Sequence, residues 1–169
     1  VLGSVTISGT QVKSNNAGGS GGGGYGSGLG GLQGATFDGN RGSSSAGALY
    51  AAGGIDMQAS EFIDNLTTSG VAGAGLLTSG NGAVVNSLFS GNASTSGGSA
   101  LQLSTPGAVR IIHTTIASDT VGSVAAVNIT NGTVGVTNTI ISGHAVGIQQ
   151  AGGAVYQDYN LFFGNTADT

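Results

Sequence analysis

The chain has 169 residues, a formal net charge of −4 and only 6% charged residues, against roughly 25% in an ordinary soluble domain. Its 35 glycines argue against a regular helical protein, since each costs about 0.5–1 kcal/mol in a helix interior. With no cysteine and three basic residues, a disulfide framework, a thiolate metal site and a nucleic-acid partner are all disfavoured. Disorder is the natural competitor for so much Gly and Ser, but it goes with high net charge and few large aliphatics. This chain holds 40 Leu, Ile, Val and Phe residues, and they recur at regular intervals.

In chain order, the first unit places Val5 and Ile7 as an alternating pair, Gly9 as a turn, then Val12 three residues before Asn15. Residues 18–31 follow, nearly all Gly and Ser, and are expected to form an irregular loop replacing most of one strand. The second unit sharpens the pattern: Gly34, then Phe37-x-x-Asn40, then the apolar Ala48-Leu49-Tyr50. Ile55/Met57, Ala59 and Phe62-x-x-Asn65 open the third, which continues to Gly75-Leu76-Leu77. Asn86, Phe89-x-x-Asn92 and Leu101-Gln102-Leu103 make the fourth. Val109/Ile111, His113, Ile116-x-x-Asp119 and Val127-Asn128-Ile129 make the fifth. Val134/Val136, Asn138, Ile141-x-x-His144 and Val146-Gly147-Ile148 make the sixth, and Tyr159 with Phe162-x-x-Asn165 closes the series.

The apolar members Val12, Phe37, Phe62, Phe89, Ile116, Ile141 and Phe162 are separated by 25, 25, 27, 27, 25 and 21 residues. Period-2 alternation marks strands with one buried face. Gly and Asn in the column three residues before each apolar member mark turns, because both tolerate positive φ. Three short strands and three turns in about 25 residues, repeated without a helix, are best satisfied by stacked coils. Each strand then pairs with its equivalent one repeat later, about 4.8 Å along the axis. The expected fold is a single all-β domain over 1–169, a right-handed single-stranded parallel β-helix of about seven coils. The seven apolar members form a core column. Asn15, Asn40, Asn65, Asn92, Asp119, His144 and Asn165 form a structural ladder, with Asp119 and His144 interrupting its amides.

These repeats resemble the β-helical passenger repeats of polymorphic outer-membrane proteins and related bacterial surface β-helices. The resemblance rests on Phe-x-x-Asn paired with a Gly-Gly-Ala-aliphatic element, here Gly152-Gly153-Ala154-Val155 and, more loosely, Ala46-Gly47-Ala48-Leu49 and Gly98-Ser99-Ala100-Leu101. It covers essentially the whole chain. It implies secretion and surface display, often adhesion, so an extracellular or cell-surface location is expected.

Few residues present themselves for chemistry. Parallel β-helices also house polysaccharide lyases and hydrolases, whose sites need several carboxylates converging on one outward face. Asp56 and Arg110 share an outward column two coils apart. Asp38 and Asp64 are the nearest approach to a carboxylate pair, better read as solvated turn residues than as a calcium site. His113 falls between Asn86 and Asn138 and is expected to stack with them. Tyr156, Tyr159, Phe162 and Phe163 gather in the last coil, where core and end packing are expected to take them, with a sugar-stacking platform as the alternative. Of four Asn-x-Ser/Thr sequons, at Asn65, Asn92, Asn128 and Asn131, the last is the expected glycan acceptor because it lies in a turn.

No catalytic residue, metal site or cofactor is assigned, and no enzyme activity is expected. No apolar run approaches the length of a membrane span, and no signal peptide is visible. The chain starts at Val1, so a mature or excised segment is expected. Open β-helix ends without a capping helix point to self-association head to tail. The expected function is a non-catalytic structural or adhesive surface β-helix, stacking into a filament. The alternative is a carbohydrate-binding or polysaccharide-cleaving module, with surface glycans as partners.

Overall fold

The computed structural model describes residues 5–27, 29–69, 75–78 and 80–169. Among them the chain is all-β and without helix, its parallel strands stacked as a solenoid of about six turns with repeats about 25 residues apart. Seven strands on one face make six steps, so the expected seven coils number the strands rather than the completed turns. Residues 1–4 of the single domain expected over 1–169 lie outside the described residues.

Three faces wind around one core. The first runs through Val5–Ser8, Leu29–Gln33, Ile55–Gln58, Gly82–Val85 and Ala154–Asp158, and through the later halves of two long strands, Gly98–Ile112 and Ala125–Thr137. The second is the Phe face: Gln11–Lys13, Thr36–Asp38, Glu61–Ile63, Leu88–Ser90, Thr115–Ala117, Ile140–Ser142 and Leu161–Phe163. The third joins Gly24–Gly26, Leu49–Ala51, Leu76–Thr78, the earlier halves of the two long strands, and Val146–Gln150. Because the long strands bend round a corner, the first and third faces belong to one hydrogen-bonded sheet.

Alternation explains the core. Leu32, Met57, Val84, Ile111 and Val136 pair in register and are almost fully buried, while the residues between them point outward. On the second face Phe37, Phe62 and Phe89 stack with ring centroids 4.9 Å apart, and Ile116 and Ile141 continue the column. Val12 and Phe162 cover the column at either end and are half-buried. A fully buried Phe contributes about 1.5–3 kcal/mol from burial alone, with about 0.5–1.5 kcal/mol more per stacked pair.

The corner between the first and second faces is made by one residue per coil in the left-handed region. Gly9, Gly34, Ala59, Asn86, His113, Asn138 and Tyr159 all have φ between 49° and 57°, which is the turn column read from the sequence. A second corner, just before the Asn column, uses Ser14, Gly39, Asp64, Gly91, Gly143 and Gly164 in the same region, with φ from 51° to 76°.

Two sequence expectations change. Residues 18–31 are not wholly irregular: Gly24–Gly26 pairs with Leu49–Ala51, and Leu29–Gln33 joins the first face. Glycine is needed there because the first coil runs hard against the second. A Cβ on Gly22 would collide with the carbonyl of Gly47, and one on Gly23 would meet Phe37 and Val12 at 3.0 Å. The last coil also departs from expectation. Phe162 alone turns inward, whereas Tyr156, Tyr159 and Phe163 are 68%, 79% and 74% exposed, with Leu161 beside them. Strand alternation directs Tyr156, Leu161 and Phe163 outward, and Tyr159 occupies the corner.

Candidate functional site

The Asn column is a continuous ladder over four coils. Asn40 Oδ1 accepts from the backbone N–H and the Nδ2 of Asn15, at 3.1 and 2.9 Å. Asn65 Oδ1 does the same for Asn40, and Asn92 Oδ1 for Asn65, at 2.9–3.0 Å. The amide nitrogens of Asn40, Asn65 and Asn92 also donate to the carbonyls of Val12, Phe37 and Phe62, one coil back. Each side chain thus closes the corner backbone while fixing its neighbour's register. Asn40, Asn65 and Asn92 are buried, so their satisfied amides avoid about 1–3 kcal/mol for each polar atom otherwise left unpaired.

At the fifth coil the ladder breaks. Ser118, which precedes Asp119, does not take the left-handed conformation of its six equivalents. Its hydroxyl instead donates to the carbonyl of Thr120 at 2.7 Å, and Asp119 turns out to solvent. Asp119 is therefore not a ladder member. His144, on the next coil, is only 3% exposed, and its Nδ1 lies 3.2 Å from Ser99 Oγ. Its Nε2 is buried without a partner, and burial lowers its pKa to about 4. A partly open cavity of about 200 Å³, lined by Asn92, Ser99, Asp119 and His144 among others, occupies the gap. The pattern resumes beyond it: Asn165 Oδ1 accepts from the His144 backbone N–H, and Asn165 Nδ2 donates to the Ile141 carbonyl, both at 3.0 Å.

A second polar column lines the other corner. Ser60 Oγ accepts from the Ala35 N–H and Ser87 Oγ from the Ser60 N–H, both at 3.2 Å. Ser60, Ser87, Thr114 and Thr139 each also donate to the carbonyl two residues earlier. Asn160 completes the series, accepting from the Thr139 N–H and donating to the Val136 carbonyl. On the third face, Asn128 Nδ2 donates to Gln102 Oε1 at 2.8 Å. Hydroxyls so abundant in the sequence give no signal that this column would bond.

The remaining candidates lie apart. Asp38 pairs with Lys13 at 3.3 Å on the outer surface of the Phe face, and Asp64 sits in a left-handed corner. His113 Nε2 lies 3.2 Å from Asn138 Nδ2. Asp56 and Arg110 flank Ala83 in one outward column, each its direct register partner. Among the sequons, Asn65, Asn92 and Asn128 are buried and Asn131 is exposed. Among the described residues no group of three His, Asp or Glu is placed to hold a metal ion, and no helix is long and apolar enough to cross a membrane.

By fold and by the use of its polar side chains, the chain is a parallel β-solenoid whose named polar columns act within its wall. Comparison with protein-family models, with curated proteins and with solved structures finds no match.

Proposed function

We propose that the chain is a non-catalytic structural or adhesive β-solenoid of an extracellular or cell-surface protein, akin to the passenger repeats of polymorphic outer-membrane proteins. The observation that carries this reading is where the amides and hydroxyls are used. Two corner series, Asn15 to Asn92 and, in two stretches, Ala35 to Ser87 and Thr139 to Asn160, bind coil to coil and fix register. The fold thereby becomes a stiff rod that separates or presents surfaces. Electron microscopy of the pure chain over a concentration series tests it. Discrete rods, or filaments with an axial repeat of about 4.8 Å, support a structural element. Turnover of acidic or neutral polysaccharides by the same preparation would overturn it.

One observation favours the second reading, a carbohydrate-binding module. The last coil presents Tyr156, Tyr159 and Phe163 outward, and exposed aromatic faces stack well on sugar rings. A glycan array probed with the native chain and with Y156A/Y159A separates the readings. Signal lost in the variant supports glycan binding through this coil, and a blank array removes it.

A further inference from the structure

We propose that the first face is the docking surface for a second copy of this chain, packed face to face with the two solenoid axes antiparallel. The pairing is lateral, so it is distinct from stacking at the ends and goes beyond the structural reading.

One outward column of this face runs Thr6, Gly31, Asp56, Ala83, Arg110, Gly135, Tyr156, and its members are consecutive register partners. Ala83 is the middle member, with Asp56 one strand before it and Arg110 one strand after. A two-fold axis lying along the strand direction above Ala83 reverses the order. It brings Asp56 of one copy opposite Arg110 of the second, and Arg110 opposite Asp56. The remaining pairs become Gly31 with Gly135 and Thr6 with Tyr156.

The adjacent outward column obeys the same symmetry. Its order is Ser8, Gln33, Gln58, Val85, Ile112, Thr137, Asp158, with Val85 in the middle. Reversal sets Val85 against its own copy, Gln58 against Ile112, Gln33 against Thr137 and Ser8 against Asp158. Apolar Ala83, Val85 and Ile112 thus lie at the centre, the two ion pairs flank them, and no like charges meet. A parallel arrangement fails this criterion, since it sets Asp56 against Asp56 and Arg110 against Arg110.

The single copy leaves both charges ready for this role. Among the described residues neither the Asp56 carboxylate nor the Arg110 guanidinium is in an ion pair; the ion pair there is Lys13 with Asp38. Between them runs a shallow groove of about 450 Å³ whose lining includes Gly31, Asp56, Ala83 and Arg110, giving the facing side chains room. Facing sheets stand about 10 Å apart, a span that an extended Arg and an Asp cover together. The seven-strand face measures about 30 by 13 Å, or about 400 Å² per copy, roughly half of a standard interface. The expected dimer is therefore weak, forming in the micromolar-to-millimolar range.

Sedimentation velocity up to about millimolar chain reads the monomer–dimer equilibrium. The native chain is expected to dimerise, less tightly at high salt. D56R or R110D alone places like charges at both contacts and weakens the dimer by about tenfold or more. The swap D56R/R110D restores both pairs and returns association to near the native level. A native chain that stays monomeric, or a swap no better than the single reversals, overturns the proposal. Orientation is read separately with a spin label on Y156C, the only thiol in that chain. Antiparallel packing puts the two labels about 30 Å apart, and parallel packing about 10 Å; the short distance also overturns the proposal.

Discussion

The imidazole of His144 meets the hydroxyl of Ser99 at 3.2 Å across 45 residues of chain, in the gap that Asp119 leaves by facing solvent. The ring is held neutral there, because burial lowers its pKa from 6.5 to about 4. In the unfolded chain the same ring takes a proton near pH 6.5. As pH falls below 6.5 the unfolded state binds that proton first, so stability declines until the folded ring also titrates near 4. The loss amounts to about 3 kcal/mol over that window. Urea unfolding at a series of pH values reads it. H144N removes the titrating group, offers an amide to the Ile116 carbonyl, and is expected to flatten this part of the profile.

Asn65 shows what the intact ladder contributes. Its Oδ1 serves Asn40, and its Nδ2 serves Asn92 and the Phe37 carbonyl. N65A leaves the Asn40 N–H buried without a partner, at about 1–3 kcal/mol, and takes one of two donors from the Phe37 carbonyl, which keeps the strand bond from Ile63. The expected destabilisation by thermal or denaturant melting is about 2–4 kcal/mol. N15A, at an exposed end of the same ladder, costs about 1 kcal/mol or less.

The left-handed corner gives a signed pair of substitutions. Ala59 holds φ of 49° with a Cβ, whereas Gly34, one coil earlier, holds 57° without one. A59G relieves about 1–2 kcal/mol of backbone strain and gives back about 0.5–1 in unfolded-state entropy. The expected outcome is a net gain of up to about 1 kcal/mol. G34A does the reverse, and since a Cβ there meets nothing within 4 Å, its cost is purely conformational. Melting temperatures moving in opposite directions for the two variants check the assignment.

Glycosylation tests exposure directly. Asn131 is exposed, while Asn65, Asn92 and Asn128 are no more than 8% exposed. Folded chain secreted from a glycosylating host is expected to carry one glycan, and N131Q to carry none, by intact mass. A glycan on folded material at Asn65 would contradict its place in the ladder, because a sugar cannot enter that corner.

How much of this was legible in the sequence depends on which residue types are rare. Phe and Asn are scarce enough that Phe-x-x-Asn at a fixed spacing revealed the core column and most of the ladder. Ser and Thr are everywhere, so nothing distinguished Ser60, Ser87 and Thr114 as the members of a second ladder. The departure of Asp119 was hidden for another reason. It follows from the backbone conformation of Ser118, a residue type that is left-handed at Ser14 and not here. The Gly-rich stretch is misleading by composition, since Gly22, Gly23 and Gly24 look like slack yet are places where two coils touch. The outward aromatics of the last coil were visible as a cluster, but their direction depends on strand phase at Phe162.

The uniform register has a kinetic consequence. Strand partners on the Phe face lie 21–27 residues apart wherever they occur in the chain. Closing each new coil therefore costs about the same loop entropy as the last, because that cost depends on the length of the loop rather than of the whole chain. Once a first pair of coils has formed, the exposed strand edges template the next, and growth proceeds one coil at a time. A solenoid of this pattern can lengthen without each added step becoming harder.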